Sequence, residues 1–276
     1  MQTVNIEDGT SDSVQARIKY VIAGEKAFFY PTDREKSYWP VDEHIVTIEN
    51  MRTHLDELAL EKNGFVLVRQ PTQVKNFRDP EEIRRIYYPE AADLVKRLTG
   101  AEKVIAFGDV VRTDDSNAVD GQLPAYGAHV DYGDITVRRF TEEILGEQEA
   151  AVWLKRRYVL INLWRPIRTV YKTPLALCDA SSVAAADLND SEVRGGLMNP
   201  DRPPLYGYNL SYNPRHHWYY APVMQPDEVL AFKLFDSDRG RVQWTGHTAF
   251  DDPTSPADAP PRRSIEIRTI SFFPQG

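Results

Sequence analysis

The segment Tyr158-Val159-Leu160-Ile161-Asn162-Leu163-Trp164 is apolar on both faces, the pattern of a central strand covered from above and below. Strict alternation runs through a second segment. Arg262, Ser264, Glu266 and Arg268 share one face there, and Arg263, Ile265, Ile267 and Thr269 the other. The spacing predicts further strands over Val104 to Arg112, Ile135 to Arg138, Pro174 to Cys178, Tyr206 to Tyr212, His217 to Tyr220, Glu228 to Phe235 and Ser264 to Phe273. A helix is expected at about 141–156, among these strands.

The first hundred residues read differently. Arg17 to Ile22 and Lys26 to Tyr30 read as a strand pair around a Gly24 turn. Met51, Leu55 and Leu58 fall on one face of an expected helix near 47–63, stopped by Gly64. Phe65 to Val68 reads as a short buried strand. Asp79-Pro80-Glu81-Glu82 is a helix start: a cap, a proline in the first turn, then acids at the positive end. Pro89 is expected to interrupt that helix, with a second segment running to Gly100. Helices first and about eight strands afterwards predict a mainly β protein, an antiparallel barrel or sandwich with N-terminal helices packed against it. No repeat or long linker intervenes, so residues 1–276 read as one domain: 1–100 a covering layer, 101–276 the β core.

Charge and composition narrow the functional classes. The 276 residues carry 33 Lys+Arg against 41 Asp+Glu, a net charge of −8, which argues against nonspecific nucleic-acid binding. No apolar run approaches the roughly 18 residues of a membrane span. Met1 to Asp8 lack a basic region followed by an apolar one, so the expectation is a cytoplasmic protein. The single cysteine, Cys178, makes neither an intrachain disulfide nor a multi-cysteine zinc site.

Chemistry concentrates in His129-Val130-Asp131. On a strand, residues i and i+2 point the same way, so an imidazole and a carboxylate project side by side at a spacing one metal ion can use. Two histidines and one carboxylate form the facial triad of non-haem iron oxygenases, and the missing histidine should lie on a distant strand. His247 is the best candidate. His216 and His217 compete with it, but they precede Trp218-Tyr219-Tyr220, an aromatic cluster better suited to a core or pocket wall. Fifteen residues after His247 comes Arg262-Arg263-Ser264. A guanidinium and a hydroxyl on one strand face suit a carboxylate, which the Arg fork binds bidentately. The buried amide of Asn162 needs partners that a bound 2-oxoacid could supply. Tyr126, Tyr158, Trp218 and His217 are the candidate substrate contacts. Two other readings stay open on the residues alone: a facial-triad iron oxidase or oxygenase that takes all its electrons from substrate, and a non-catalytic β-barrel binding protein for small molecules.

The order His-x-Asp, distant His, Arg-x-Ser resembles that of iron(II)/2-oxoglutarate-dependent dioxygenases. Asn162-Leu163-Trp164-Arg165-Pro166, Pro174-Leu175-Ala176-Leu177-Cys178-Asp179, His217-Trp218-Tyr219-Tyr220, Lys233-Leu234-Phe235-Asp236-Ser237, His247-Thr248-Ala249-Phe250 and Ser264-Ile265-Glu266-Ile267-Arg268 are similar to one branch. That branch is the hydroxylase/desaturase family that includes the cephamycin 7-α-methoxylase subunit and a fungal gibberellin desaturase. The resemblance covers residues 100–273 most closely. It implies a double-stranded β-helix (a cupin-like jelly roll), with Fe(II) on His129, Asp131 and His247. It also implies 2-oxoglutarate held by Arg262 and Ser264, with Arg268 an alternative clamp, and O2 as oxidant. The substrate would be a small specialised metabolite. The presence of Asp131, which halogenating relatives lack, implies hydroxylation, desaturation or ring formation.

Overall fold

The computed structural model describes residues 11–31, 33–195 and 201–275; Met1 to Asp8, read above for a leader, lie outside them. Fourteen strands occur among the described residues. The N-terminal ones are β1 (Ser13–Val21), β2 (Ala27–Phe29), β3 (Val41–Asn50), β4 (Phe65–Arg69) and β5 (Lys103–Thr113). Then follow β6 (His129–Val130), β7 (Tyr158–Pro166), β8 (Leu175–Cys178), β9 (Leu188–Val193) and β10 (Leu205–Leu210). The last are β11 (Trp218–Tyr220), β12 (Glu228–Asp236), β13 (His247–Ala249) and β14 (Arg263–Phe272). Nine form a sheet in the order β1-β3-β11-β8-β13-β6-β10-β9-β2, and five form another, β4-β12-β7-β14-β5. The two face each other as a double-stranded β-helix, or jelly roll, decorated by helices.

Parity along the strands builds three cores. Leu160, Trp164, Leu230, Phe232 and Ile270 of the five-stranded sheet meet Leu175 and Leu177 of β8 between the sheets. The odd-numbered residues Val159, Ile161, Leu163, Ile265 and Ile267 point outward, as the unbroken apolar run of β7 requires. They are covered by a helical run made of α1 (Pro80–Glu82), a wide π turn (Ile83–Tyr87) and α2 (Tyr88–Thr99). Asp79 caps this run by accepting the Glu81 N–H at 2.9 Å, and Gly100 ends it in the left-handed conformation. The third core lies inside the nine-stranded sheet, which curls on itself. Val14, Ala16, Ile18 and Tyr20 of β1 meet Ala176, Cys178, Leu210, Trp218, Tyr220 and Phe250 there. A Val21–Ser211 bridge closes the curl, with the Ala128 N–H donating to Lys19 O at 2.8 Å.

Several sequence expectations are corrected. The Gly24 turn exists, but its two arms do not pair. β1 pairs with β3 along its full length, and β2 joins β9 in parallel. Residues 41–50 are strand, so no helix spans 47–63; the β-branched run Ile45-Val46-Thr47-Ile48 pairs with β1, and Leu55 is exposed. Pro89 does not interrupt the helix. It sits in the first turn of α2, where a missing donor is tolerated, and the π turn precedes it. Residues 135–138 belong to α3 (Asp134–Leu145), where Val137 and Phe140 dock into the intersheet core, and packing overrides β propensity. The helix expected at 141–156 is split at Gly146 into α3 and α4 (Glu147–Trp153).

Candidate active site

β6 and β13 are neighbours in the nine-stranded sheet, and their pairing sets His129 directly opposite His247. The ring centroids are 4.3 Å apart. Asp131 follows β6 at once. It lies beside Gly207 of β10, where a Cβ would stand only 2.5 Å from Val130 O. One ligand atom from each of His129, Asp131 and His247 lies within 4.8 Å of the others, close enough to share an ion.

Each ligand is aimed by a second group. His129 Nδ1 bonds Gly127 O at 2.7 Å and His247 Nδ1 bonds Thr245 O at 3.2 Å, each carbonyl two residues back. A carbonyl only accepts, so both Nδ1 atoms carry a proton, which leaves the two Nε2 atoms as the positions that could bind a metal. Those Nε2 atoms lie 3.3 and 3.8 Å from Asp131 Oδ1. Asp131 Oδ2 accepts from Asn162 Nδ2 at 3.2 Å. Burial opposes ionisation of Asp131, but His129, His247 and Arg268 outweigh it and hold the carboxyl well below the usual range. Burial and the neighbouring His129 push His247 down to about 4, so this imidazole is neutral near pH 7. His129 and Asp131 retain 23% and 15% side-chain exposure, which leaves the cluster open on one side.

Beside the cluster lies a narrow cleft, lined by Arg112, Trp164, Leu175, Thr248, Arg262 and Glu266 among others. Arg262 is 2% exposed; its Nη1 donates to Thr173 O at 2.7 Å and its guanidinium lies over Trp164. Arg262 Nε, Ser264 Oγ, Trp164 Nε1 and Asn162 Oδ1 are buried without a hydrogen-bond partner. Orphaned polar atoms on adjacent strands, next to three ligand side chains, are the mark of a site built for a polar guest. Burial, reinforced by Arg112, lowers the Arg262 guanidinium to about 10, still fully charged near pH 7. Arg268 is differently occupied: it donates to Gly108 O and to Glu266 Oε1, and Arg112 holds the other side of Glu266.

The structure thus brings together His129, Asp131, His247, Asn162, Arg262 and Ser264, all singled out in the sequence. Tyr126 donates to Asp251 and lies near Arg262. Tyr158 begins β7 at the far end from Trp164, stacked on Phe235. One expected substrate contact is corrected. Trp218 points into the curl, where its Nε1 donates to Tyr20 Oη at 2.8 Å; the parity of β11 sends it away from the ligands. His217 is exposed on the approach to β11, and its backbone N–H donates to Ser182 Oγ. Sequence reading missed Arg112 and Trp164 as cleft walls, and Thr173, whose signal is conformational.

Residues 14–272 match a family profile described as an oxidoreductase/YMDC permease-like domain. No helix among the described residues is long and apolar enough to cross a membrane. The chain is 34% identical to the hydroxylase/desaturase efuI of Hormonema carpetanum, over 83% of each chain. It is 31% identical to the Fe(II)/2-oxoglutarate-dependent dioxygenase nvfI of Aspergillus novofumigatus, again over 83% of each. It belongs to the iron(II)/2-oxoglutarate-dependent dioxygenases, whose members use Fe(II) and 2-oxoglutarate in oxidising small molecules. Within that family the hydroxylase/desaturases are among its relatives, and an iron and α-ketoglutarate-dependent endoperoxidase, NvfI, has a similar structure. The TM-score is 0.86 at 27% identity, covering 96% of this chain and 99% of that one.

Proposed function

We propose that residues 1–276 form one dioxygenase domain that oxidises a small specialised metabolite by hydroxylation, desaturation or ring formation. In this reading His129, Asp131 and His247 hold Fe(II), while Arg262 and Ser264 hold the distal carboxylate of 2-oxoglutarate. The carrying observation is the coincidence of two aimed imidazoles and one carboxylate with orphaned donors in the adjoining cleft. The bound groups would supply the oxidising power: 2-oxoglutarate would be oxidised to succinate and CO2 with one oxygen atom of O2, and the other would pass to the substrate or to water.

The chain's own residues prepare that chemistry. The Gly127 and Thr245 carbonyls keep the two imidazoles in the tautomer that binds metal. Asn162 steadies Asp131. The Arg262 fork and the Ser264 hydroxyl match a carboxylate, and Leu175 and Ala249 line the cleft with apolar surface that limits water. Arg262 is favoured over Arg268 as the clamp because Arg268 is committed to Glu266 and Gly108 O. Substrate approaches His129 and Asp131 from their exposed side, with Tyr126 and Tyr158 as contacts at the two ends of β7. The buried, unpaired Cys178 supports a reducing, cytoplasmic setting, and the acidic charge supports a partner that is neither nucleic acid nor membrane.

Anaerobic calorimetry tests this reading. Fe(II) should bind, 2-oxoglutarate should bind only after iron, and a library of metabolites should contain compounds that accelerate succinate release. Iron binding without any 2-oxoglutarate binding would point instead to an oxidase that draws its electrons from substrate. Unchanged iron affinity after His129→Ala and Asp131→Ala would mean that these residues do not hold the metal.

A further inference from the structure

The connection from β7 to β8 ends in a backbone conformation that its sequence does not favour. Thr173 has φ +51°, the left-handed region that β-branched residues avoid. Among the described non-glycine residues, only Val223 shares this feature. Such conformations persist where surrounding contacts over-determine them, and they cluster at functional sites. Thr173 is 5% exposed, and its carbonyl and hydroxyl are both engaged. Its carbonyl accepts from Arg262 Nη1 at 2.7 Å, and its Oγ1 donates to Asp114 Oδ2 at 2.9 Å. Asp114, just past the end of β5, is also within 3.7 Å of Lys172 Nζ. The left-handed turn at Thr173 therefore joins three strand ends, β5, β8 and β14, at the guanidinium of Arg262.

We infer that Thr173, anchored by Asp114, is a positioning residue for 2-oxoglutarate: its strained carbonyl fixes one edge of the Arg262 fork so that the rest faces the distal carboxylate. The inference rests on the reading of Arg262 as the clamp. An Arg side chain has several rotatable bonds, and its freedom is lost on binding unless something has removed it beforehand. The Thr173 carbonyl removes it, and the hydroxyl bond to Asp114 keeps the carbonyl in place. Left unaided, the turn would relax toward an ordinary backbone conformation and carry the acceptor with it. Tyr126 also lies close to Thr173 and Arg262.

The test uses the iron-loaded full chain under argon, with two probes. 2-Oxoglutarate has the distal carboxylate; 2-oxobutyrate is a 2-oxoacid without it. Thr173→Val keeps the branched shape and loses the hydroxyl, and it should weaken 2-oxoglutarate binding about tenfold, the order of one hydrogen bond to a charged group. Binding of 2-oxobutyrate and of Fe(II) should stay within about twofold, which a general loss of structure would not allow. Thr173→Ser should restore 2-oxoglutarate affinity, and Asp114→Asn should reproduce the Thr173→Val loss from the other side. Arg262→Gln separates the two levels. If it leaves 2-oxoglutarate affinity unchanged, the clamp reading itself fails. If it weakens 2-oxoglutarate selectively while Thr173→Val and Asp114→Asn do not, the positioning role is wrong. Parallel loss of both probes and of iron in Thr173→Val and Asp114→Asn would also overturn it, leaving Thr173 a residue of the fold alone.

Discussion

The space between the two sheets and the space inside the curl of the larger sheet are built from the same strands, yet they differ in one property. In the curl, orphaned polar atoms are few: the Trp218 indole donates to Tyr20, the apolar rows of β1, β8 and β11 fill most of the rest, and Trp244 Nε1 and His216 Nδ1, packed against this core, lack a partner. Between the sheets, Asn162, Trp164, Arg262 and Ser264 each keep a buried polar atom without a partner. A buried unsatisfied group costs about 1–3 kcal/mol, so a cluster of them persists only where another pressure maintains it. Strand parity divides the two interiors. On β8, Leu175 and Leu177 face the site while Ala176 and Cys178 face the curl, one residue apart.

The sharpest way to break this contrast is to remove a ligand. Asp131→Ala should abolish succinate formation and lower iron affinity by more than the roughly 10–100-fold typical of outer partners. Trp218→Ala probes the other interior. It should destabilise the fold by about 3–5 kcal/mol in urea titrations, yet leave iron and 2-oxoglutarate affinities unchanged once folded. If Trp218→Ala instead removed iron binding at native-like stability, the two interiors would not be independent.

Ser264→Ala sharpens the comparison from the opposite direction. Deleting an orphaned hydroxyl should leave the apo protein as stable as wild type, or up to about 1 kcal/mol more so, while 2-oxoglutarate binding weakens. The smallest effect concerns Glu61, on the far rim. Burial works against its ionisation, but Lys233 and Arg157 prevail and lower its carboxyl to about 2. A depressed carboxyl stabilises the fold above its ordinary pKa, and that contribution is lost as pH falls toward the folded value. Urea midpoints of wild type and Glu61→Gln should therefore converge as pH drops from about 5 toward 2. The half-exposed side chain keeps the difference modest.

The jelly-roll class was legible, and so was the grouping of the candidate site, more than the strand order around it. The order His129, Asp131, His247, Arg262, Ser264 reads as a chemical pattern, and in the proposed reading each residue type follows from what it would bind. β7 and β14 were legible because their apolar and alternating patterns record which face is covered. Residues 41–58 misled because Met51, Leu55 and Leu58 have helical spacing by chance, while the pairing that makes 41–50 a strand lies with β1. Ile135-Thr136-Val137 misled because a tertiary docking site, invisible locally, turned β-branched residues into helix. Trp218 was assigned to the pocket because periodicity gives the alternation of β11 but not which side is which. Thr173 left no trace, since a positive φ at a β-branched residue is imposed by distant partners.

The closure of the large sheet also governs when the site can exist. His129 meets His247 only after β6 has found β13, and that sheet runs on through β8 and β11 to β3 and β1 near the N-terminus. Such pairings close long loops, and loop-closure entropy must be overcome before they give any return, which places them late in folding. The ligand set is thus a product of completed topology, and iron capture during refolding becomes a clock for the last long-range step. A chain interrupted within β3 would leave β11 as a raw sheet edge, separated from His247 by β8 alone.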